Sequence, residues 1–137
     1  MDNNRFNDKI IELEEFLEEL ENSLPEDCDE YKTDYKLRAI GERYFEKIIK
    51  AVIDLSFMVI KLKKFKQPEQ EKEVFDILVE NKILPLALSK KLQDAKGMRN
   101  IIAHEYGKID NELVFHSLAE ELIPDVHEFI GLINKIV

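Results

Sequence analysis

Apolar residues recur at steps of three and four through most of this chain, and that spacing restricts its fold more than any other feature. In the first segment, from about Asn3 to Ser23, they are Phe6, Ile10, Leu13, Phe16, Leu17, Leu20 and the following Leu24. This spacing places them on one face of an α-helix. Pro25 ends the segment, because proline cannot continue the helical hydrogen bonds. No segment shows the alternation of a β-strand, so the pattern predicts an all-α protein.

The second periodic segment is longer and extends from about Thr33 to Phe65. At 1.5 Å per residue it measures on the order of 50 Å, so other helices are needed to cover its apolar face. A third helix is expected from about Pro68 to Glu80, because acidic residues favour a first turn. Asn81 is expected to cap this helix, since asparagine tolerates the left-handed conformation.

A fourth helix is predicted from Pro85 to about Glu105, and Gly107 is expected to end it. Its core stripe consists of Leu88, Leu92, Ala95, Met98 and Ile102. The pattern then continues into a further helical stretch.

Asp110 can cap a fifth helix that runs to about Ile123. There Pro124 is expected to kink or break the chain before a last, turn-rich helix through Ile136. Together the segments predict an up-and-down helical bundle of about five helices with a long second helix.

Length and composition indicate one domain over residues 1–137. A chain of 137 residues buries about two-thirds of its unfolded surface, which is enough for a core. The single cysteine, Cys28, has no intrachain partner, so a reducing compartment is expected. Met1 to Lys9 is polar, and no apolar run approaches the roughly 20 residues of a membrane span. We therefore expect a cytoplasmic protein without membrane contact.

Charge is segregated along the chain. The formal net charge of −9 argues against broad electrostatic capture of nucleic acid, and DNA binding is not expected. The segment from Asp8 to Glu30 contains many acidic residues and one basic residue, Lys9. Basic residues gather later, at Lys61, Lys63, Lys64, Lys66, Lys82, Lys90, Lys91, Lys96, Arg99 and Lys108. They surround the motif described next, although a solvated helix face also explains such runs.

The fourth helix carries a compact polar motif near its end. It consists of Arg99, Asn100, His104 and Tyr106. At about 100° per residue, Asn100 and His104 lie on one face, and Arg99 lies about 140° from His104, away from the core stripe. Tyr106 returns close to the line of Arg99 if the helix persists that far. The spacing therefore predicts one polar patch.

The residue types of the motif suit phosphate chemistry. Arginine offers a planar fork of donors for phosphate oxygens, histidine exchanges protons near neutral pH, and asparagine can fix a hydroxyl or orient the ring. These groups fit a metal-free cleavage in which a ribose 2′-hydroxyl attacks the neighbouring phosphate. A structural explanation fits as well: His104 favours the helix carboxyl end and Asn100 is a surface residue. In that case Arg99 pairs with an acid such as Glu42 or Glu46.

The run from Met98 to Tyr106, with Asp110 beginning the next helix, resembles the signature of HepT-like toxins of the HEPN superfamily of small helical ribonucleases. The similarity in order and spacing covers nearly the whole chain. It extends to Glu42, Arg43, Asp54 and the segments 74–84 and 114–129. The resemblance thus implies a HEPN-like helical domain.

The same resemblance implies a homodimer whose motif helices face a shared cleft, and RNA cleavage without a metal or cofactor. His104 would act as general acid or base, Arg99 would stabilise the developing charge, and Asn100 would position the reacting groups. It also implies a minimal nucleotidyltransferase antitoxin that transfers AMP to Tyr106. The added charge and bulk would block the cleft. The chain is therefore predicted to be an endoribonuclease toxin of the hydrolase class.

An alternative is a non-catalytic helical adaptor that binds a nucleotidyltransferase or a nucleotide. A di-iron carboxylate bundle needs paired Glu-x-x-His motifs, whereas Glu112 and His116 have a different spacing. His116 and His127 are expected at the core edge or the surface. Three tyrosines are expected to pack on helix faces instead of stacking on bases: Tyr31, Tyr35 and Tyr44.

Overall fold

The fold is built from helices. A computed structural model describes the backbone of residues 3–136 and the side chains of residues 4–105 and 107–136. Within that range the chain forms six helices: α1 (Asn3–Ser23), α2 (Cys28–Thr33), α3 (Tyr35–Leu62), α4 (Val74–Glu80), α5 (Leu86–His104) and α6 (residues 111–134). The expected all-α bundle with one long helix is confirmed.

The long helix α3 forms the centre of the core. Helix α1 packs along it, and α4 and α5 also pack against it. The α1 side chains with helical spacing are buried as predicted: Phe6, Ile10, Leu13, Leu17 and Leu20 are at most 4% exposed. Each large apolar side chain buried in this way contributes about 1.5–3 kcal/mol. None of the helices in the described residues is long and apolar enough to cross a lipid bilayer.

The short helix α2 was not expected from the sequence. It forms because the Asp27 carboxylate accepts a hydrogen bond from the backbone N–H of Asp29 at 2.9 Å. Asp34 then separates α2 from α3, and its carboxylate caps α3 by accepting from the N–H of Lys36 at 2.9 Å. Aspartate at these positions satisfies N–H groups that a helix start leaves unpaired. The predicted helix from Thr33 to Phe65 is therefore shorter at both ends.

The region between α3 and α5 also differs from the prediction. The helix expected from Pro68 begins as a single 3₁₀ turn at Glu71–Glu73 and continues as α4. Asn81 is the C-cap residue of α4, as expected, but its φ of −95° is not left-handed. Its side-chain amide instead donates to the carbonyl of Ile77 at 2.9 Å. Lys82 adopts the left-handed conformation, with φ of 63°.

Helix α2 is held against α3 by a close approach at Gly41. A Cβ atom on Gly41 would lie 2.8 Å from the hydroxyl of Tyr31 and 2.9 Å from Cδ1 of Leu118. Tyr31 is fully buried, and its ring centroid lies 5.3 Å from that of Phe115 in α6. Glycine at position 41 therefore allows α2, α3 and α6 to meet around one tyrosine ring.

Helix α6 is continuous, so of the kink or break expected at Pro124 the break is absent. Asp110 caps α6 as predicted, because its carboxylate accepts from the N–H of Leu113 at 3.1 Å. The helix consists of an α-helical part (Asn111–His116), a π-helical part (Ser117–Leu122) and a second α-helical part (Ile123–Asn134). Pro124 lies in the first turn of that last part. The widened π-helical part changes the hydrogen-bond pattern before the proline, so the chain continues without a break.

Candidate active site

Helix α5 carries the polar motif and is anchored by its apolar stripe. Pro85 precedes the helix in an extended conformation, with φ of −71° and ψ of 150°. Leu88, Leu92 and Ile102 are buried in the core, as predicted. This anchoring places Asn100 and His104 on the solvent side of α5, whereas the Arg99 side chain is mostly buried.

The guanidinium of Arg99 is held by two side-chain oxygens. Its Nε donates to Oδ1 of Asn100 at 2.9 Å, and its Nη2 donates to Oε1 of Glu71 at 2.8 Å. These two N–H groups point in parallel from one edge of the planar group. A carboxylate or phosphate binds that edge with two oxygens. In this structure Asn100 and Glu71 occupy the two donors of that edge with one oxygen each.

Glu71 is a residue that the sequence analysis missed. It lies 28 positions before Arg99, in the 3₁₀ turn ahead of α4, and no local pattern links the two. Arg99 therefore pairs with an acid, as the structural explanation expects, but the acid is Glu71 instead of Glu42 or Glu46. The same Glu71 oxygen lies 3.8 Å from Nζ of Lys96. One carboxylate thus contacts two cations of the motif helix and balances only one of their two charges.

His104 ends α5 and is exposed to solvent. Among the described side chains it has no hydrogen-bond or ion-pair partner. Asn100 is also exposed, one turn earlier on α5. The structure thus joins Arg99 and Asn100 directly and leaves the imidazole accessible at the end of the same helix.

The chain leaves the helix immediately after His104. Glu105 has φ of −130° and ψ of 58°, and a single 3₁₀ turn follows at Tyr106–Lys108. The backbone of Tyr106 is therefore no longer part of α5, so the helical spacing from Arg99 does not extend to it. The side chain of Tyr106 lies outside the described residues. Gly107 is the residue expected to end the helix, but it has no positive φ and lies beyond the last helical residue. The helix ends instead where Glu105 leaves helical geometry.

Four of the ten basic residues named above are paired with acids. In addition to Lys96 and Arg99, Lys91 lies 3.8 Å from Asp125. Lys108 lies 3.3 Å from the carboxylate of Glu105. Pairing weakens the positive field that the sequence alone indicates around the motif.

The other histidines lie at the surface, as expected. Nδ1 of His116 lies 3.1 Å from a carboxylate oxygen of Glu120, and Nε2 of His127 lies 3.6 Å from one of Glu21. Both side chains are about half exposed, at 48% and 54%. Among the described side chains, neither forms an ion pair or hydrogen bond with Arg99, Asn100 or His104.

The three tyrosines differ in their surroundings. Tyr31 is buried as predicted, and Tyr44 is half-buried, with its hydroxyl donating to Glu19 at 2.8 Å. Tyr35 is 69% exposed, so the expected packing is wrong there. It is the first residue of α3, directly after the Asp34 cap, and lies outside the core.

These features define a class: small helical bundles with an arginine, an asparagine and a histidine at the end of one helix. A family model described as "Ribonuclease HepT-like" matches residues 13–133. The chain therefore belongs to the ribonuclease HepT-like family. The resemblance seen in the sequence is confirmed.

Two curated relatives carry nuclease names. The mRNA nuclease HepT of Shewanella oneidensis is 25% identical over 108 residues, which cover 79% of this chain and 80% of that protein. The tRNA nuclease HepT of Aphanizomenon flos-aquae is 30% identical over 91 residues, covering 66% of this chain and 62% of that protein.

A solved structure shows the same fold. It is the tri-AMPylated HEPN toxin of Shewanella oneidensis in complex with an MNT antitoxin. The TM-score is 0.87 at 22% identity, and the match covers 95% of this chain and 96% of that one. At this level of identity the likeness establishes the HEPN fold.

Proposed function

We propose that this protein is a metal-independent endoribonuclease toxin that cleaves RNA through Arg99, Asn100 and His104. The observation that carries the proposal is the geometry at the end of α5. There, two parallel N–H groups of Arg99 already bind two oxygens, and the His104 ring is exposed on the same helix. The nuclease names of the two curated relatives support it.

The proposed reaction uses the ribose of the RNA as the nucleophile. A neutral His104 removes the proton from the 2′-hydroxyl, whose oxygen attacks the adjacent phosphorus. The bond from phosphorus to the 5′-oxygen breaks, and a protonated imidazole gives that oxygen a proton. The products are a 2′,3′-cyclic phosphate and a 5′-hydroxyl. Two imidazoles act in this scheme, one from each subunit of a homodimer with a shared cleft.

Arg99 and Asn100 supply charge and position in the proposed mechanism. Negative charge builds on the phosphate oxygens as the nucleophile attacks, and the guanidinium stabilises it. Asn100 holds Nε of Arg99, which fixes the plane of the fork. A fixed donor needs no reorganisation when the charge develops.

Cleavage of mixed RNA in the presence of EDTA tests this proposal. The wild type is expected to release fragments with cyclic-phosphate ends, and His104→Ala is expected to be about 10²–10⁴-fold slower. His116→Ala is the matched control, since His116 is exposed but pairs with Glu120 away from the motif. An inert wild type, or a His104→Ala protein that cleaves equally well, would refute the proposal. Binding of a nucleotidyltransferase without RNA loss would favour the adaptor instead.

We also propose that a minimal nucleotidyltransferase antitoxin silences the protein in the cytoplasm by AMP transfer to Tyr106. The Tyr106 oxygen attacks the α-phosphorus of ATP, pyrophosphate leaves, and the phenolic proton passes to a base. Each AMP brings a negative phosphate and a nucleoside close to the end of α5, which repels and blocks RNA. The AMPylated, antitoxin-bound state of the structural neighbour supports this part of the proposal.

Intact-mass measurement tests the modification. The protein is incubated with ATP and a minimal nucleotidyltransferase of the MNT type, and a gain of one or more AMP units is expected. Tyr106→Phe is expected to remain unmodified, while Tyr35→Phe, which changes an exposed tyrosine elsewhere, is modified like the wild type. Equal modification of the Tyr106→Phe protein would exclude that residue as the acceptor.

A further inference from the structure

We infer that Glu71 competes with the RNA phosphate for Arg99, so that substrate binding must displace the Glu71 carboxylate. The inference rests on the proposed ribonuclease function, because it assigns a role to a residue at that site. The inference concerns the affinity of the protein for RNA. It adds Glu71, an acidic residue from outside α5, to the residues of the site.

The contacts of Arg99 show why Glu71 and a phosphate would compete for the same donor. Nε and Nη2 of Arg99 form the edge of the guanidinium that takes a two-oxygen anion. In the structure, Asn100 fills the Nε position at 2.9 Å and Glu71 fills the Nη2 position at 2.8 Å. Asn100 is neutral, whereas Glu71 carries the negative charge of the pair. The Glu71 oxygen therefore occupies a position that a phosphate oxygen would take on this edge.

The Glu71 oxygen also lies near a second cation, as an oxygen of a bound phosphate would. Nζ of Lys96 lies 3.8 Å from the same Oε1 atom of Glu71. Lys96 and Arg99 lie one turn apart on α5, and their side chains are only 14% and 18% exposed. A lysine and an arginine that converge on one oxygen are a common arrangement for phosphate recognition.

The exposure of the three groups shows which partner leaves. The Glu71 side chain is 45% exposed, about three times as much as either cation. Its carboxylate can regain water at little cost, whereas the cations would lose their partner while mostly buried. An incoming phosphate is therefore expected to replace Glu71 on Arg99 and Lys96 without moving α5.

The turn that carries Glu71 stays attached when the side chain leaves. Nε2 of Gln93 on α5 donates to the backbone carbonyl of Lys72 at 3.2 Å. This contact does not involve the Glu71 carboxylate. Rotation of the Glu71 side chain is thus sufficient to open the site.

Glu71→Gln tests the inference, because glutamine keeps an oxygen for Arg99 and removes the charge. Glu73→Gln is the matched control in the same turn, since Glu73 accepts from the N–H of Glu69 at 3.3 Å and contacts no cation of α5. Affinity is measured by fluorescence anisotropy with an uncleavable 2′-O-methyl RNA, and kcat and KM with cleavable RNA. We expect Glu71→Gln to bind RNA about three- to fivefold more tightly. Its KM should fall to match, with kcat within about twofold of the wild type.

Several results would overturn the inference. A lower kcat at unchanged KM in Glu71→Gln would show that Glu71 positions Arg99 instead of competing for it. If Glu73→Gln also binds RNA more tightly, and to the same extent, the gain in affinity comes from the change in net charge and not from the contact between Glu71 and Arg99. If Glu71→Gln binds 2′-O-methyl RNA no better than the wild type, the competition is absent. If the wild type binds RNA but does not cleave it, the ribonuclease proposal fails while the affinity comparison still decides the role of Glu71.

Discussion

The amide oxygen of Asn100 accepts a hydrogen bond from Nε of Arg99, its neighbour in the chain, at 2.9 Å. Consecutive helical residues normally point about 100° apart, so the long arginine side chain must bend towards the asparagine to make this contact. The asparagine of the motif therefore orients the guanidinium, and the imidazole of His104 is exposed at the end of the same helix.

Asn100→Ala is expected to lower kcat about tenfold, because Nε of Arg99 loses the oxygen that fixes its plane. Asn100→Asp is expected to be worse, since a second carboxylate on the fork would raise KM by competing with phosphate. Steady-state cleavage of a short RNA separates the two effects. Thermal unfolding should be nearly unchanged for both variants, because residue 100 is exposed. An alanine variant with wild-type kcat would show that Asn100 does not position Arg99.

Replacing two helical glycines by alanine should change stability in opposite directions. Gly41→Ala is expected to lower the free energy of unfolding by about 1–3 kcal/mol, because the new methyl group would lie 2.8 Å from the buried Tyr31 hydroxyl. Gly97→Ala is expected to raise it by about 0.5–1 kcal/mol, since nothing lies within 4 Å of a Cβ there. Urea unfolding followed by circular dichroism measures both. Destabilisation of equal size at both positions would contradict the close approach of Tyr31.

Two tyrosine hydroxyls should respond differently to removal. The buried hydroxyl of Tyr31 has no hydrogen-bond partner within the described part of the chain, and burial raises the pKa of this phenol. Tyr31→Phe is therefore expected to raise the free energy of unfolding by about 1 kcal/mol. Tyr44→Phe is expected to lower it by about 0.5–1 kcal/mol, because Tyr44 donates to Glu19 at 2.8 Å. A loss of stability in Tyr31→Phe would reveal a partner for that hydroxyl.

The stability of the protein should depend on the ionisation of Asp125. Burial raises the pKa of this carboxyl, although Lys91 acts in the opposite direction. Above the raised pKa, Asp125 is charged in the folded protein, and burying this charge lowers the free energy of unfolding. Below the ordinary pKa of aspartate the carboxyl is neutral in both states, so this cost is absent. Asp125→Asn is therefore expected to be more stable than the wild type at pH 7. The difference should shrink as the pH falls through the raised pKa towards the ordinary aspartate range.

Thermal unfolding of both proteins between pH 7 and pH 3 checks this prediction. An Asp125→Asn protein that is less stable than the wild type at pH 7, with a deficit that disappears as the pH falls, would show that the ion pair with Lys91 outweighs burial. The pair is long, at 3.8 Å, so a dominant role for it is not expected.

Much of the helical framework follows from the sequence because its signals are local. Apolar spacing located α1 and α5 closely, and Asp110 was recognised as a cap because a capping side chain bonds a backbone N–H two or three residues away. The polar motif on α5 was found in the same way. Predictions of helix ends were less accurate near Gly107 and Pro124, because each of these residues is compatible with more than one backbone geometry there.

By itself, the sequence determined that the chain is helical and that Arg99, Asn100 and His104 share the end of one helix, because those relations depend on neighbours within a few turns. The tertiary structure decided which acid meets Arg99, since Glu71 is 28 positions away and meets it only when the turn before α4 packs against α5. It also decided that Gly41 accommodates the ring of Tyr31. Contacts between distant segments depend on how all the helices fill one core, and no local pattern specifies that packing.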